Sequence, residues 1–584
     1  MRFHGEGDAV TTMTIEVNGR QVEAKAGEML LTVLRREGIH VPTLCNMEGL
    51  LPSGACRMCV VEVEGRPGLV PSCAAPVVDG MKVQTHSGRA LRARKTIVEL
   101  LLAEHPDDCL YCVRSGKCDL QTLSTELGVR TRRYAGARNS QRPDLSSPSL
   151  VRDPDKCILC GKCVRVCEEI QSVACIDFVG RGSTTRVGTA FEQGLNVSSC
   201  INCGQCIMVC PTGALHEQSH LKEVVEALAD PEVLTVVQHA PAVSVTLAEE
   251  FGLKAGTDVC GAMTAALRRL GFDRVFDTGF SADLTIMEEA AELVQRITTG
   301  GTLPMMTSCS PGWIKYVEQF HPDLVGNLST CKSPQQMLGA VVKSFLAQRE
   351  GRDPRRIFNV AIMPCTAKKF EASRPEMARD EAPDVDAVLT TRELARLIRM
   401  RGLDMSHLAP EPADTPFGER STAGKLFGAS GGVMEAAIRT AYYMVTGKEM
   451  EEFKVQPVRG LKGIKQARIR VGDLDLGVAV ASGLGNAARL LERVRAGDSG
   501  LHFIEVMTCP GGCIGGGGQP LSVDERAVRA RMQALYQIDR SETVRTSHGN
   551  EAVKRLYAEF LGEPLGERSH HLLHTRYAPR EVVA

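Results

Sequence analysis

The chain has 584 residues, 22 of them cysteine, with 69 Lys and Arg set against 70 Asp and Glu. That length implies several domains rather than one core, and a formal net charge of -1 offers no electrostatic footprint for nucleic acid or an anionic membrane. The cysteines fall in short loops with glycine and lysine between them, which suits metal ligation in a reducing compartment better than a disulfide framework; no apolar run is long enough to span a bilayer and Met1 to Met13 lacks a leader pattern, so a cytoplasmic chain is expected.

Met13 to Ala24 alternates apolar residues around Asn18-Gly19, a hairpin signal, and Leu30 to Glu37 reads as a helix. A β-grasp begins this way. It leads to Cys45, Cys56, Cys59 and Cys73, four thiolates expected on one long loop and a following strand. They match a plant-type ferredoxin site for a two-iron cluster, with a longer first gap. Gly49, Gly54 and Gly65 fit loops whose backbone amides turn toward sulfide. His105, Cys109, Cys112 and Cys118 come next. A histidine near cysteines is ordinarily a surface residue, but imidazole can also replace thiolate on iron and raise the potential. Arg130 to Ser149, rich in Arg, Ser and Pro, reads as a linker.

Cys157, Cys160, Cys163 and Cys167 form one run, and Cys200, Cys203, Cys206 and Cys210 form a second. Three thiolates of such a run occupy corners of one cubane while the fourth points to the neighbouring cluster. Cys157, Cys160 and Cys163 should therefore be completed by Cys210, and Cys200, Cys203 and Cys206 by Cys167. Zinc motifs pair two short Cys-x-x-Cys clips rather than two runs of four. Cys175 lies outside the spacing and reads as a buried thiol. Up to residue 222 the chain is a wire for electrons.

The wire needs a terminus, and three later segments offer one: Thr307 to Trp313, Met363 to Glu371, and Glu505 to Pro520. Each of their cysteines lies close to Pro or Gly, as where backbone must approach a bulky ligand. Strand-like runs Val233 to Val237, Val360 to Met363 and Gly477 to Ala481 alternate with helical stretches Val433 to Val445 and Gly485 to Ala496. A mixed α/β domain of two lobes follows, with a cofactor between them. From Ile286 to Ile297 the apolar spacing is helical, and Glu289, Glu292 and Arg296 share one stripe. Carboxylates one turn apart can hand a proton along; a solvated face with an ordinary ion pair has the same spacing. Cys260 and Cys331 read as small buried thiols, although Cys331 beside Lys332-Ser333 could border the site. Asp524 to Tyr577 is charged and helical and should wrap the outside. Its His570, His571 and His574 make a metal cluster by composition, but an exposed tail is the favoured reading. Gly515 to Gly518 lacks the strand, helix and acidic residue of a dinucleotide site, and no flavin site stands out. A pyridine nucleotide partner would have to be bound by another subunit.

The stretch from Cys45 to Cys118 resembles the start of the large iron–sulfur subunit of respiratory NADH dehydrogenases and of iron-only (FeFe) hydrogenases. There this histidine ligates the distal cubane, a role carried over to His105, Cys109, Cys112 and Cys118. The three later segments resemble the catalytic signatures of FeFe hydrogenases, so that the resemblance spans nearly the whole chain. It implies one 2Fe-2S cluster, three 4Fe-4S clusters and an H-cluster: a cubane bridged by one cysteine to a two-iron unit carrying carbonyl, cyanide and azadithiolate. Cys365 and Cys509 match cubane ligands and Cys513 the bridging ligand.

Where the family has two adjacent cysteines, this chain has Cys309-Ser310. Either Ser310 ligates through oxygen, or Cys309 ligates and the proton relay is altered. Cys309 is favoured as ligand because a thiolate suits iron better than an alcohol. Yet Cys309 also occupies the family's proton path, with Glu289, Glu292, Arg296 and Ser329, and is thus claimed by two roles. The resemblance makes Lys368 a donor to cyanide on the distal iron. It places Pro241, Gln335, Met363, Phe427 and Met507 on the pocket wall, and Ala242 stands where some relatives have serine.

The expected architecture is multidomain α+β and α/β: a β-grasp two-iron ferredoxin-like domain (12–90), a His-Cys four-iron domain (91–140), a bacterial-ferredoxin-like double four-iron domain (147–222), a two-lobed H-cluster domain (223–523) and a C-terminal helical segment (524–584). The expected activity is reversible reduction of two protons to hydrogen. The long form with Ser310 looks like the catalytic subunit of an NAD(P)-linked or electron-bifurcating complex, with a flavin- and NAD(P)-binding subunit and a small ferredoxin-like subunit as partners; a ferredoxin-linked monomer is the nearest variant. A low-turnover hydrogen sensor or electron-transfer subunit, encouraged by Ser310 alone, and an iron–sulfur assembly factor without diiron chemistry are the alternatives.

Overall fold

Asn18 and Gly19 both take positive φ, 51° and 83°, as a tight hairpin turn of this hand requires, and they close Thr12–Val17 on Arg20–Lys25 with Val17 opposite Arg20. The computed structural model describes residues 12–582 apart from 136, 137, 139, 380–381, 451–455, 498–499 and 522–523. The expected chain start, part of the expected linker and the expected domain ends at 523 and 584 lie outside the described residues. The hairpin continues into a five-stranded sheet with Lys82–Gln84, Val60–Val63 and Val70–Pro71. Helix Leu30–Arg36 buries Leu30, Leu31, Val33 and Leu34 against it. Cys73 is not on a strand: Pro71 ends the short strand and Cys73 falls in the 3-10 turn Ser72–Ala74. Helix Gly88–Glu104 is fastened to the sheet by the fully buried Arg94, whose guanidinium donates to the carbonyls of Val60 and Thr85, each at 2.8 Å.

The second half of the expected linker is tied down. Asp144 exchanges backbone hydrogen bonds with Arg152, and Ser147 Oγ bonds Asn202 beside the second cysteine run. Leu150–Arg152 pairs with Leu215–Glu217 and brackets both runs.

Two four-stranded sheets follow. One has the order Arg274–Asp277, Leu234–His239, Ile357–Met363, Ala387–Thr390, all parallel; the other runs Met305–Met306, Phe503–Met507, Leu474–Ser482, Ile464–Val471, with only the last pair antiparallel. These are the two lobes expected from the alternation of strand and helix. Helix Thr278–Thr299 lies between them, capped by Asp277, whose carboxylate accepts from Gly279 N at 2.7 Å. Phe280 and Leu284 pack into one core, while Ala282, Ile286 and Leu293 pack into another. A helix apolar on two faces has no solvated side, so Asp283, Glu288, Glu289 and Glu292 are all buried.

The C-terminal segment does more than cover the surface. Within Glu525–Ser541, Arg531 is fully buried and donates to Ile514 O at 2.8 Å. Past Glu567–Leu573, His574 forms a backbone bridge with Cys331. The exposed-tail reading is therefore corrected: His570 and His571 are exposed, but His574 is buried because its backbone joins that bridge and its ring enters the core.

The wire docks on the lobes through glycine. A Cβ on Gly517 would clash with Cys203 O and come within 2.7 Å of Gly204 Cα. Gly517→Ala should therefore destabilise the loaded protein by about 1–3 kcal/mol, read as a lowered melting temperature; an unshifted melt would mean that these backbones do not touch.

Candidate active site

The cysteine runs converge as their spacing suggests. Cys157, Cys160, Cys163 and Cys210 line one cavity; Cys167, Cys200, Cys203 and Cys206 line the next. Gly161 and Gly204 each take positive φ at the turn that folds three thiols around a common point. Burial pushes the thiols of Cys157, Cys160, Cys163, Cys167, Cys203 and Cys206 upward, so metal bonding has to offset the cost of their ionisation. Cys175 belongs to the second cavity, where its N–H donates to Cys167 Sγ at 3.4 Å; its position outside the motif spacing hid this.

Cys45, Cys56, Cys59 and Cys73 are brought together in pairs, Cys45 with Cys56 and Cys59 with Cys73, which pushes one thiol of each pair down and the other up. His105 is buried, with Nδ1 facing Pro106 O at 3.1 Å and Nε2 without a hydrogen-bond partner. An imidazole oriented by a carbonyl and open at its other nitrogen fits a metal ligand. Cys112 and Cys118 are near each other, and Cys109 is exposed on the same loop.

A further constellation lies in a cavity between the lobes. Cys309, Ser310, Cys365, Cys509 and Cys513 line it, with Pro241, Ala242, Gln335, Met363, Lys368, Phe427 and Met507 on the wall. Every expected pocket residue is thus at the cavity. Cys203 lines it too, as well as the neighbouring cubane cavity, which puts the wire against this site. Side chains at Gly512 and Gly516 would strike Ser430 N and Pro364 O respectively, so the loop around Cys513 can only be glycine at those points. Burial pushes Cys365 and Cys509 up, and Cys513 up to about 12. Buried thiols around a glycine-framed cavity fit a bulky iron–sulfur group: Cys365, Cys509 and Cys513 with a fourth donor at 309 or 310.

Those two residues face different neighbours. Ser310 Oγ bonds Thr508 Oγ1 at 2.8 Å, immediately before Cys509. Cys309 has Glu289, Cys513, Lys368 and Glu505 as the titratable groups acting on it. Lys368 Nζ donates to Cys309 O at 3.2 Å and to Glu371 at 2.9 and 3.1 Å, and Gln335 Nε2 also reaches Glu371 at 3.1 Å. Glu371 thus holds both expected pocket donors, a role the sequence did not suggest.

From Cys309 a line of side chains leads outward. Glu289 is fully buried; Ser308 N and Ser329 are its polar neighbours, neither in hydrogen-bond geometry. Burial first, then Glu292 and Glu505, push its carboxyl up to about 8. Glu292 is the opposite case: Ser329 Oγ donates to it at 2.7 Å and Arg296 Nη2 at 2.6 Å, and Arg296 is partly open to solvent. Glu505, which the sequence reading passed over, is fully buried and accepts from Gly431 N and Met434 N, each at 2.7 Å.

Family models match the chain in five places. These are a 2Fe-2S iron-sulfur cluster binding domain over residues 10–88, an NADH-ubiquinone oxidoreductase-G iron-sulfur binding region over 94–133, a 4Fe-4S dicluster domain over 156–214, the C-terminal domain of the iron only hydrogenase large subunit over 233–517, and the iron hydrogenase small subunit over 525–580. The NADP-reducing hydrogenase subunit HndD of Solidesulfovibrio fructosivorans is 48% identical, covering 98% of this chain and 100% of its own. Iron hydrogenase 1 of Clostridium pasteurianum is 40% identical over 97% of this chain and 99% of its own. A variant of the apo FeFe-hydrogenase of Chlamydomonas reinhardtii superposes with a TM-score of 0.56 at 42% identity, covering 62% of this chain and 99% of that one. No helix among the described residues is long and apolar enough to cross a membrane. With its cysteine cavities, its two lobes and its full-length relatives in agreement, the chain belongs to the iron-only hydrogenases, oxidoreductases acting on hydrogen.

Proposed function

We propose that this chain is the hydrogen-activating subunit of an NAD(P)-linked or electron-bifurcating complex, whose flavin and nucleotide are held by a separate subunit and whose small ferredoxin-like subunit is a third. The full-length likeness to an NADP-reducing hydrogenase subunit supports this reading, together with a chain that carries no dinucleotide fingerprint of its own. Electrons enter through a 2Fe-2S cluster on Cys45, Cys56, Cys59 and Cys73 and a 4Fe-4S cluster on His105, Cys109, Cys112 and Cys118. They pass to the cubane on Cys157, Cys160, Cys163 and Cys210, then to that on Cys167, Cys200, Cys203 and Cys206. These centres sit in modules at 12–90, 91–140 and 147–222, ahead of a catalytic module at 223–523 and a C-terminal one at 524–584. The observation that carries the order is Cys203, which lines both the last cubane cavity and the cavity between the lobes.

At that cavity Cys365, Cys509 and Cys513 would hold the H-cluster, Cys513 as the bridge to its two-iron unit. When bound, that group supplies the redox iron at which protons and electrons become hydrogen. The protein's own residues set the surroundings. Lys368, steadied by Glu371, offers an ammonium donor, while Pro241, Met363, Phe427 and Met507 exclude water. Cys309 takes the relay position, with the carboxyl groups of Glu289 and Glu505 among the titratable groups acting on it. Ser310, bonded beside Cys509, then stands at the fourth cubane corner. This proposal departs from the preference for Cys309 as ligand that thiolate affinity for iron favoured; the Ser310–Thr508 contact beside Cys509 and the acids around Cys309 support it. Protons travel from solvent beside Arg296 to Glu292, and by way of Ser329 to Glu289 and Cys309.

Three outcomes test the reading. Maturase-loaded protein should evolve hydrogen from reduced viologen at high turnover, and Cys513→Ala should abolish this with the N-terminal cluster resonances intact; slow turnover in the native protein would point to a sensor, and none to an assembly factor. Cys309→Ala should lower the rate by about 100-fold or more while leaving the iron content unchanged; loss of iron instead would make Cys309 the ligand. Glu289 carries its proton below about 8 and loses it above, so hydrogen evolution at constant driving force should fall as pH climbs through that value, a decline that Glu289→Gln should remove along with most activity.

A further inference from the structure

The proton path just described leaves one buried group unused. His574 reaches it from the C-terminal segment, where Thr575 N bonds Thr330 O and Lys332 N bonds Leu573 O, laying this segment along the residues that follow Ser329. The ring stands between two partners: Nδ1 faces Thr330 Oγ1 at 2.8 Å and Nε2 faces Glu288 Oε2 at 3.1 Å. Glu288 is itself fully buried and accepts from Tyr557 OH at 2.6 Å and Leu565 N at 2.7 Å. A carboxylate so held provides a counter-charge for an imidazolium that would otherwise be costly to bury.

Two further observations place this imidazole on a route between Glu292 and the surface. Donor atoms of Glu292, Cys331 and His574 all lie within 4.8 Å of one another, and Cys331 Sγ is 3.9 Å from Glu292 Oε2. On the other side His570, exposed, stacks on His574 with ring centroids 4.6 Å apart and planes 9° from parallel. The sequence Glu292, Cys331, His574, His570 therefore runs from the proton path to solvent in short gaps, each closed by a small rotation or a single water.

We propose that His574 and His570 form a second proton entrance, joining the Arg296 outlet at Glu292. A proton taken by His570 from solvent passes through one water to His574. His574 then gives its N–H proton to Cys331 Sγ as the Cys331 S–H proton goes to the Glu292 carboxylate. No electron moves, and each carrier returns to its starting charge. Imidazole suits the task because it alone among side chains gains and loses a proton near neutrality without perturbation. The stack at His570 serves as the surface antenna, with Arg576, Glu288 and Glu292 as the charged groups nearest it.

The proposal rests on the hydrogenase reading, and the experiment separates the two. Hydrogen evolution by matured enzyme is measured for His574→Gln, Arg296→Leu and the double variant, with cluster iron and the carbonyl and cyanide infrared bands checked in each. Glutamine retains a donor toward Glu288 and an acceptor toward Thr330 but cannot carry a proton. Parallel entrances predict a small loss in either single variant and, in the double variant, a rate at least about tenfold below the product of the single effects. His570→Ala in the Arg296→Leu background, a surface change that leaves folding alone, should be slow and should recover when free imidazole is added. Single effects that simply multiply, together with no imidazole rescue, would overturn the second entrance. Native enzyme that carries the infrared bands yet evolves no hydrogen would overturn the hydrogenase reading and this entrance with it.

Discussion

Removing thiolates from water is the constraint on which this molecule is built. A buried thiol resists ionisation, and the upward push on Cys163, Cys203, Cys206, Cys309 and Cys509 shows how strongly this interior opposes negative sulfur. Iron–sulfur bonding reverses the balance, because the energy of ligation is also energy of folding. The protein's contribution is then geometric. It must bring four sulfurs to one point through loops whose backbone closes around a large group, which is why glycine recurs where a Cβ would strike Cys203 O, Pro364 O or Ser430 N. Replacing any of these glycines moves the sulfurs as well as the chain.

The same low-dielectric interior is used without metal along helix Thr278–Thr299. Two carboxylates one turn apart are both buried, yet their surroundings differ. Glu292 has a serine and an arginine, whereas Glu289 has no well-formed hydrogen bond and sits near Glu505. Desolvation therefore keeps Glu289 protonated near neutrality, whereas Glu292 is held by its serine and arginine, and a difference of that kind would give a proton a direction along the proposed path. A solvated face would have levelled the two. Burial on two sides by separate apolar cores takes out of water a spacing that usually signals a surface ion pair.

How much of this could be read from sequence depends on how far apart the interacting residues lie. Cluster motifs are local, so their spacing encodes the geometry directly; even the crossing of Cys167 and Cys210 to opposite cavities follows from it. The hairpin at Asn18-Gly19 and the alternation behind the two lobes are legible for the same reason. Contacts between distant segments are not. Cys175 has no motif, and joins a cubane cavity only because the chain returns there after Cys167. Glu371 looks like one more charge on a short helix until Lys368 and Gln335 converge on it. His574 reads as part of a polar tail because its partners Thr330 and Glu288 are 244 and 286 residues away.

At Cys309-Ser310 the proposed assignment sets placement against chemical affinity. Sulfur prefers iron to oxygen, and that preference alone assigns the ligand to Cys309. But adjacent residues of extended chain point their side chains to opposite sides, and Ser310, with φ -105° and ψ 103°, is extended. In the proposed arrangement Ser310 sits by Thr508 beside Cys509, and Cys309 by the acids. Gly312, against Thr508 and Ile201 O, sets the register of the turn, and Pro311 begins the helix Pro311–Phe320 behind it. In the proposed arrangement electrons would arrive past Cys203 and protons past Cys309, both at one cavity, and the alternation at 309 and 310 would let a single short loop serve both.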